Sequence, residues 1–284
     1  MDGCLRRLLA ARTDPRQPVI MGIVNVTPDS FSDGGEHLDP QRAIAYGSHL
    51  VQSGAQVLDI GGESTRPGAL PVSASEEASR IVDVISALVE RHPEVPISVD
   101  TSKAQVAERA IEAGAAVVND VTAVSDPEMV PVCATAGVDL VLMHMRGTPR
   151  TMQKDTSYGD LIAEIRDYLR SRMEQAITGG VLSDRLIVDP GIGFGKAWGD
   201  NPRLISGLED FRSLGAPVLV GASRKRFIGA LTGQDRAADR VFGSVGAALA
   251  ATESGAEILR VHDVAATREA LAVFLACRQP VSTS

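Results

Sequence analysis

The segment SGAQVLDI at residues 53–60 is the first of four similar segments along this chain. Each begins with Ser-Gly or Ala-Gly and continues into a short run rich in Val, Ile and Leu. Glycine suits the left-handed residue that ends a helix, and the apolar run suits a buried strand. The pattern predicts helices that turn directly back into the strands of one sheet. The other segments are AGAAVVND at 113–120, AGVDLVLM at 136–143 and SGAEILRV at 254–261.

Outward from these segments, short apolar runs alternate with amphipathic stretches such as 40–53, 75–91, 103–113 and 160–178. Apolar strands separated by helices are typical of a parallel sheet covered by helices. Eight strands in 284 residues favour a closed (β/α)8 TIM barrel, in the α/β class, over an open sheet. The strand candidates are residues 19–26, 56–62, 97–101, 117–121, 139–144, 186–191, 218–223 and 258–263.

The composition is that of an ordinary globular protein, with 44% hydrophobic and 23% charged residues. We expect a leading segment at 1–17, a single barrel domain at 18–278 and a tail at 279–284. The leading segment lacks the long apolar region and cleavage site of a secretory signal. The net charge of -8 disfavours nucleic acid as a partner, and no apolar run is long enough for a membrane span. Three dispersed cysteines form no CxxC pair, so we expect a reduced, cytoplasmic protein.

Polar residues stand near the end of every strand candidate. In a (β/α)8 barrel, the carboxyl ends of the strands build the active site. Packing alone does not explain such a set, because buried polar groups need partners. His144 fits a structural role and a place at this mouth equally well. The strand-end residues are Asn25, Asp59, Asp100, Asn119, Asp120, His144, Asp189, Ser223, His262 and Asp263.

Two polar loops follow the first two strands. NVTPDSFSDGG at 25–35 predicts a lid that binds ligand and excludes water, although an ordinary connecting loop could have this composition. GGESTRPG at 61–68 offers backbone N–H groups, and its Thr65 and Arg66 are donors suited to phosphate. Alone, this second loop is a weak signal.

The segment DPGIGFGK at 189–196 is not a Walker A loop. Only three residues, not four, separate Gly191 from the Gly195-Lys196 pair, and Ala197 follows where that loop needs Ser or Thr. It predicts a tight loop beside a flat ligand. As a carboxylate, Asp189 could accept two N–H bonds from a guanidine-like edge of that ligand.

Basic residues follow the last two strands. GASRKRFIG at 221–229 places three cations at a helix start, which the helix dipole disfavours, so another demand is expected there. A solvated basic turn is the alternative. In RVHD at 260–263, alternation puts Arg260 and His262 on the same side of a strand. Together with residues 224–226 they predict an anion pocket.

Seven motifs, in order between residues 19 and 264, make the chain resemble the dihydropteroate synthase family. They are NVTPDSFSDGG, GGESTRPGA, SVDT, VND, DPGIGFGK, GASRKRFIG and RVHDV. Each is modest alone, but the ordered set is specific. The resemblance implies a transferase of folate synthesis that joins a dihydropterin pyrophosphate to 4-aminobenzoate. It also implies a homodimer packed through the last helices.

The resemblance further implies roles for individual residues. Those of the pterin site are Asp100, Asn119, Asp189 and Lys225, with Arg260 over the ring. Those of the pyrophosphate pocket are Asn25, Thr65, Arg260 and His262, with Asn25 also holding Mg²⁺. Those of the 4-aminobenzoate side are Phe31, Thr65, Pro67, Lys225 and Arg226, with Asp33 ordering that substrate and the leaving group. Arg66 and Phe194 are also expected to bind substrate. The expected catalytic set is Asp33, Asp100, Asp189, Lys225, Arg260 and His262.

The chemistry expected from these residues is ionisation at the pterin methylene carbon, helped by Mg²⁺, followed by arylamine attack without a covalent enzyme intermediate. One departure from the family pattern is Ala197-Trp-Gly-Asp200, which replaces the usual Thr and His positions. Two other functions remain open. One is a methyltetrahydrofolate:corrinoid methyltransferase, and the other is a catalytically silent pterin-binding barrel.

Overall fold

Eight parallel strands form one sheet in the computed structural model, which describes residues 3–27, 39–65 and 68–278. Strands β1 to β6 are neighbours in chain order, and β8 lies between β1 and β7. The strands are β1 Val19–Asn25, β2 Val57–Gly61, β3 Ile97–Asp100, β4 Val117–Asp120, β5 Asp139–Met143, β6 Leu186–Asp189, β7 Leu219–Val220 and β8 Ile258–Val261.

The sheet closes between β6 and β7. A single parallel bridge joins Val188 to Val218, and the amide of Val188 donates to the carbonyl of Pro217 at 3.0 Å. Because β7 contains only two residues, this seam is much shorter than the ladder between β1 and β2. The (β/α)8 barrel is confirmed.

Helices cover the outside of the barrel, and their buried residues recur at helical spacing, as at Ile81, Val84, Ile85 and Leu88. None of the described helices is long and apolar enough to cross a membrane. They are α1 Cys4–Ala10, α2 Pro40–Gln52, α3 Ala74–Arg91, α4 Ala104–Glu112, α5 Met129–Ala136, α6 Leu161–Thr178, α7 Asp200–Ser206, α8 Glu209–Arg212, α9 Arg226–Thr232, α10 Val241–Glu253 and α11 Val264–Cys277.

The recurring glycine segments behave as the sequence predicts. Gly54, Gly114, Gly137 and Gly255 all have positive φ, and each lies between a helix and the strand that follows it. Gly137 is the left-handed C-cap of α5, and its amide donates to the carbonyl of Cys133. Glycine therefore allows the short turn back into the sheet, because other residues rarely adopt this conformation.

Helix α1 closes the amino-terminal end of the barrel. The amide of Leu5 and the thiol of Cys4 both donate to Oδ2 of Asp139, the first residue of β5, at 2.8 and 3.2 Å. Leu5 is fully buried against inward-facing strand residues such as Met21 and Val141. Ligands must therefore enter at the opposite end, where the strands finish.

The packing of α1 leads to a stability prediction. Leu5→Ala should lower the free energy of unfolding by about 2–5 kcal/mol, because it opens a cavity in the apolar end of the barrel. Urea unfolding followed by circular dichroism measures this change. Leu182→Ala, which truncates an exposed leucine, is the matched control and should change little. Equal effects of the two substitutions would contradict a sealing role for Leu5.

Candidate active site

A cavity of about 740 Å³ opens at the carboxyl ends of the strands. This is the size expected of a small-molecule site. Asn119 and Asp189, two more of the predicted site residues, are buried at the ends of β4 and β6. The predicted residues that line the cavity are Asn25, Thr65, Asp100, Phe194, Lys225, Arg226, Arg260 and His262.

An arginine between two carboxylates forms one wall of the cavity. Arg260 on β8 donates from Nε to Oδ2 of Asp59 at 2.5 Å and from Nη2 to Oδ2 of Asp100 at 2.6 Å. Asp59 is completely buried and also accepts from Ser98 Oγ at 2.6 Å and Asn119 Nδ2 at 3.2 Å. Such partners are needed because an unpaired buried charge is strongly unfavourable. Strands β2, β3, β4 and β8 thus meet in one polar network.

Asp100 has an unused acceptor. Its Oδ1 atom is buried and has no hydrogen-bond partner, whereas its Oδ2 atom is bound by Arg260. Burial raises the pKa of Asp100 to about 7, and the nearby Asp59 adds to this rise, although Arg260 opposes it. The free oxygen is therefore suited to a ligand N–H group at the cavity wall.

Lys225 and Asp189 form a second polar group, beside the loop after β6. Oδ1 of Asp189 accepts from the Gly191 amide at 2.7 Å. Lys225 Nζ donates to the Ile192 carbonyl and lies 4.2 Å from the centre of the Phe194 ring. Burial lowers the pKa of Lys225 to about 7, although the Asp189 charge opposes the shift. Phe194, Lys225 and Asp189 thus combine an aromatic face with charged groups.

The basic residues after β7 have three different surroundings. Arg224 has a positive φ of 58° and binds Asp263 through Nε at 3.0 Å and Nη2 at 2.5 Å. Lys225 is turned toward the loop after β6, whereas Arg226 is exposed at the mouth. His262 Nδ1 lies 3.0 Å from Ser223 Oγ. All three residues of 224–226 therefore line the cavity, and Arg224 is also held by an ion pair with Asp263.

The loop after β6 is tied down by contacts that its sequence did not reveal. Asn201 accepts the Gly193 amide at 2.6 Å, and Tyr158 donates to the Gly195 carbonyl at 2.8 Å. In the segment 197–200, which differs from the family pattern, Asp200 accepts a hydrogen bond from the Ala197 amide at 3.2 Å. The departure from the family pattern therefore retains local hydrogen bonds of its own.

Four predicted site residues, Phe31, Asp33, Arg66 and Pro67, lie outside the described residues. Two residues to which the sequence motifs assigned no individual role have clear places in the site. Asp59 binds Arg260, and Lys196 is a buried residue that lines the cavity. The position of Asp59 at a strand end was the available signal, but its partner is 201 residues away in the chain.

Comparisons with known proteins agree with this geometry. A family model described as pterin binding enzyme matches residues 21–262. Dihydropteroate synthase from Synechocystis sp. is 46% identical over 252 residues, covering 88% of this chain and 87% of that protein. The structure of Xanthomonas albilineans dihydropteroate synthase with 4-aminobenzoic acid has 48% identity and a TM-score of 0.87, covering 93% of this chain and 94% of that one. Its complex with 7,8-dihydropteroate has 45% identity and a TM-score of 0.84, covering 93% and 95%.

The chain belongs to the dihydropteroate synthase family of pterin-binding enzymes. The family predicted from the seven ordered motifs is thereby confirmed, and with it the assignment as a transferase of folate synthesis. Among the described residues, no group of three or more His, Cys, Asp or Glu side chains could hold a metal ion.

The Arg260 network yields a pH-dependent prediction. Arg260→Met should lower the free energy of unfolding at pH 8 by about 3–5 kcal/mol, because Asp59 and Asp100 lose their buried cation. Without Arg260, the pKa of Asp100 rises above its present value of about 7. Between about pH 4 and 7 the folded wild type and the folded variant both hold this proton, but above about pH 7 only the variant keeps it, so the deficit of the variant grows as pH rises above about 7.

Urea unfolding at several pH values measures this effect. The deficit of Arg260→Met relative to wild type should be smaller at pH 5 than at pH 8. Arg16→Met removes an exposed arginine that pairs with Asp14, and it should leave stability nearly unchanged. A deficit of equal size at both pH values would contradict the assignment of buried charge to Asp59 and Asp100.

Proposed function

We propose that this chain condenses (7,8-dihydropterin-6-yl)methyl diphosphate with 4-aminobenzoate to give 7,8-dihydropteroate and pyrophosphate. The single observation that carries the proposal is the buried Asp100 Oδ1 atom, an unpaired acceptor in the wall of a cavity of suitable size. Membership of the synthase family supports the choice of substrates, as do the relatives crystallised with 4-aminobenzoic acid and 7,8-dihydropteroate.

The pterin end of the substrate suits the acidic wall. A pterin presents several N–H donors along one edge, and the free Oδ1 of Asp100 and the carboxylate of Asp189 are acceptors for them. Asn119 can contribute through its amide, although it already donates to Asp59. Phe194 and Arg260 both line the cavity and offer flat groups for stacking on the ring.

The diphosphate end suits the mouth between β1, β2 and β8. Asn25, Thr65 and His262 line this part of the cavity, and Arg260 adds a positive charge. Asn25 ends β1, is partly exposed and carries an amide oxygen. Mg²⁺ commonly takes one or two protein ligands and fills its other positions with water and phosphate oxygens, so Asn25 fits as one ligand. Bound there, Mg²⁺ would neutralise the charge of the leaving diphosphate.

The proposed reaction breaks the bond between the methylene carbon and the diphosphate oxygen. The electron pair leaves with the diphosphate, and the arylamine nitrogen then bonds to the carbon and loses a proton. The carboxylates of Asp100 and Asp189 favour the positive charge that develops on the pterin, while Arg260 and His262 favour the diphosphate. Lys225 and Arg226 both line the cavity and are suited to the carboxylate of 4-aminobenzoate.

The main alternative is a barrel that binds pterin without turnover. The methyltransferase alternative is disfavoured, because the relatives that cover most of this chain are synthases. Purified protein should release pyrophosphate from the dihydropterin diphosphate with Mg²⁺ only when 4-aminobenzoate is present, and 7,8-dihydropteroate should form in equal amount. Pterin binding without release would support the silent barrel instead.

The role of Asp189 can be tested by removing its carboxylate. Asp189→Ala should abolish detectable binding of the pterin substrate, since paired charge-assisted hydrogen bonds are lost in a buried site. Isothermal titration calorimetry measures binding, and circular dichroism checks the fold. Asp210→Ala changes an exposed aspartate outside the cavity and is the control. Wild-type affinity in Asp189→Ala would refute the pterin assignment.

A homodimer is also proposed, packed through α10 and α11. Phe242 on α10 is 90% exposed and Val273 on α11 is 65% exposed, which is unusual for large apolar side chains on neighbouring helices. The small residues of 243–251 allow close approach of a second helix. A second copy of the chain would cover this apolar surface.

Phe242→Asp should convert the dimer to a monomer, because it places a charge in the centre of the apolar contact. Light scattering after size exclusion measures the mass, which should fall from two chains to one. Leu70→Asp changes an exposed leucine that lies outside these helices, and it should leave the dimer intact. A wild-type protein that is already monomeric would refute the dimer without affecting the proposed reaction.

A further inference from the structure

Lys196 is buried to an unusual degree for a lysine, with only 3% of its surface exposed. Its ammonium donates to Nδ1 of His144 at 2.7 Å and to the His144 carbonyl at 3.1 Å. Within the described part of the chain, no carboxylate lies at ion-pair distance from it. The lysine thus joins the loop after β6 to the end of β5 and carries its charge into the wall of the cavity.

The neighbouring backbone is built closely around this lysine. A Cβ atom added at Gly191 would lie 1.9 Å from the His144 carbonyl oxygen and 3.1 Å from Lys196 Nζ. Gly191 is also the residue whose amide binds Oδ1 of Asp189. The same short segment therefore packs on the His144 and Lys196 pair and orients the carboxylate of Asp189.

Burial lowers the pKa values of both partners in this pair. It lowers the pKa of His144 to about 2, so the imidazole is neutral and its Nδ1 accepts from the lysine. Burial also lowers the pKa of Lys196 well below its ordinary value, whereas the charge of Asp189 opposes that shift. The other charged groups facing Lys196 are Lys225, Arg146 and Asp200. Asp189 is the carboxylate that interacts most strongly with this ammonium, and Lys225, Lys196 and Arg260 all lower its pKa, Lys225 the most.

We propose that Lys196 is a positioning residue for pterin binding, held by His144, which fixes the loop after β6 and keeps Asp189 in its ionised, hydrogen-bond-accepting form. The inference rests on the proposed function, since it takes Asp189 as the pterin acceptor. It assigns a role to a residue that touches no reacting atom. Its effect is transmitted through the Gly191 backbone and through charge.

The test is the pH dependence of pterin affinity in four proteins: wild type, Lys196→Met, Lys196→Gln and Lys154→Met. The probe is 6-hydroxymethyl-7,8-dihydropterin, measured by calorimetry between about pH 5 and 9. Lys154 is exposed and does not line the cavity, so its substitution is matched for the loss of one lysine charge. Asp100 and Lys225 titrate in all four proteins, so the pH profile of each variant is interpreted by its difference from the wild-type profile.

Loss of the Lys196 charge should raise the pKa of Asp189, so affinity should begin to fall at a higher pH than in wild type. The acidic limb should move upward by about one pH unit in Lys196→Met and Lys196→Gln, and affinity near pH 6 should drop about tenfold. At high pH, Lys196→Gln should bind nearly as wild type because it retains a donor for His144, whereas Lys196→Met should stay weaker.

Several outcomes would overturn the inference. An unshifted acidic limb in both variants, or an equal loss of affinity at every pH, would leave Lys196 with a purely structural role. Thermal unfolding without ligand checks the fold, and Lys196→Gln preserves the test if Lys196→Met does not fold. Failure of the wild-type protein to bind the dihydropterin would count against the proposed function instead.

Discussion

The ion pairs of Arg260 with Asp59 and Asp100 are the constraint on which the active end of the barrel depends. The guanidinium of β8 reaches past β1 to carboxylates on β2 and β3. A completely buried aspartate is tolerable only with such partners, and Ser98 and Asn119 complete its set. The relative positions of four strands around the ligand cavity are thus fixed by one charged group.

The two ends of the barrel differ in polarity: the amino-terminal end is apolar and closed, and the carboxyl end is polar and open. At the amino-terminal end, α1 and inward-facing aliphatic residues exclude water, and Asp139 is the polar group that fastens the helix. At the carboxyl end, the same strands end in charged and amide side chains. Burial there shifts the pKa values of groups in the cavity wall such as Asp100 and Lys225.

Local pattern was sufficient to predict the barrel, because each Ser-Gly or Ala-Gly turn and each apolar run depends on residues close in the chain. The strand ends were less well predicted. Residues 221–223 follow β7 instead of extending it, and the Ser223 side chain meets His262. The pairings of Asp59 with Arg260 and of Lys196 with His144 were not predicted, because the partners are 201 and 52 residues apart. Such contacts follow from the closed fold and not from local spacing.

The short seam between β6 and β7 has a dynamic consequence. A ladder with one bridge protects few amides, so backbone opening should start there and leave the other strands intact. Asp189 ends one strand of this seam, and Lys225 follows the other across it. A ligand that contacts both residues would link β6 to β7 and stabilise the seam between them. Slower amide exchange along β6 and β7 would then report occupancy of the site.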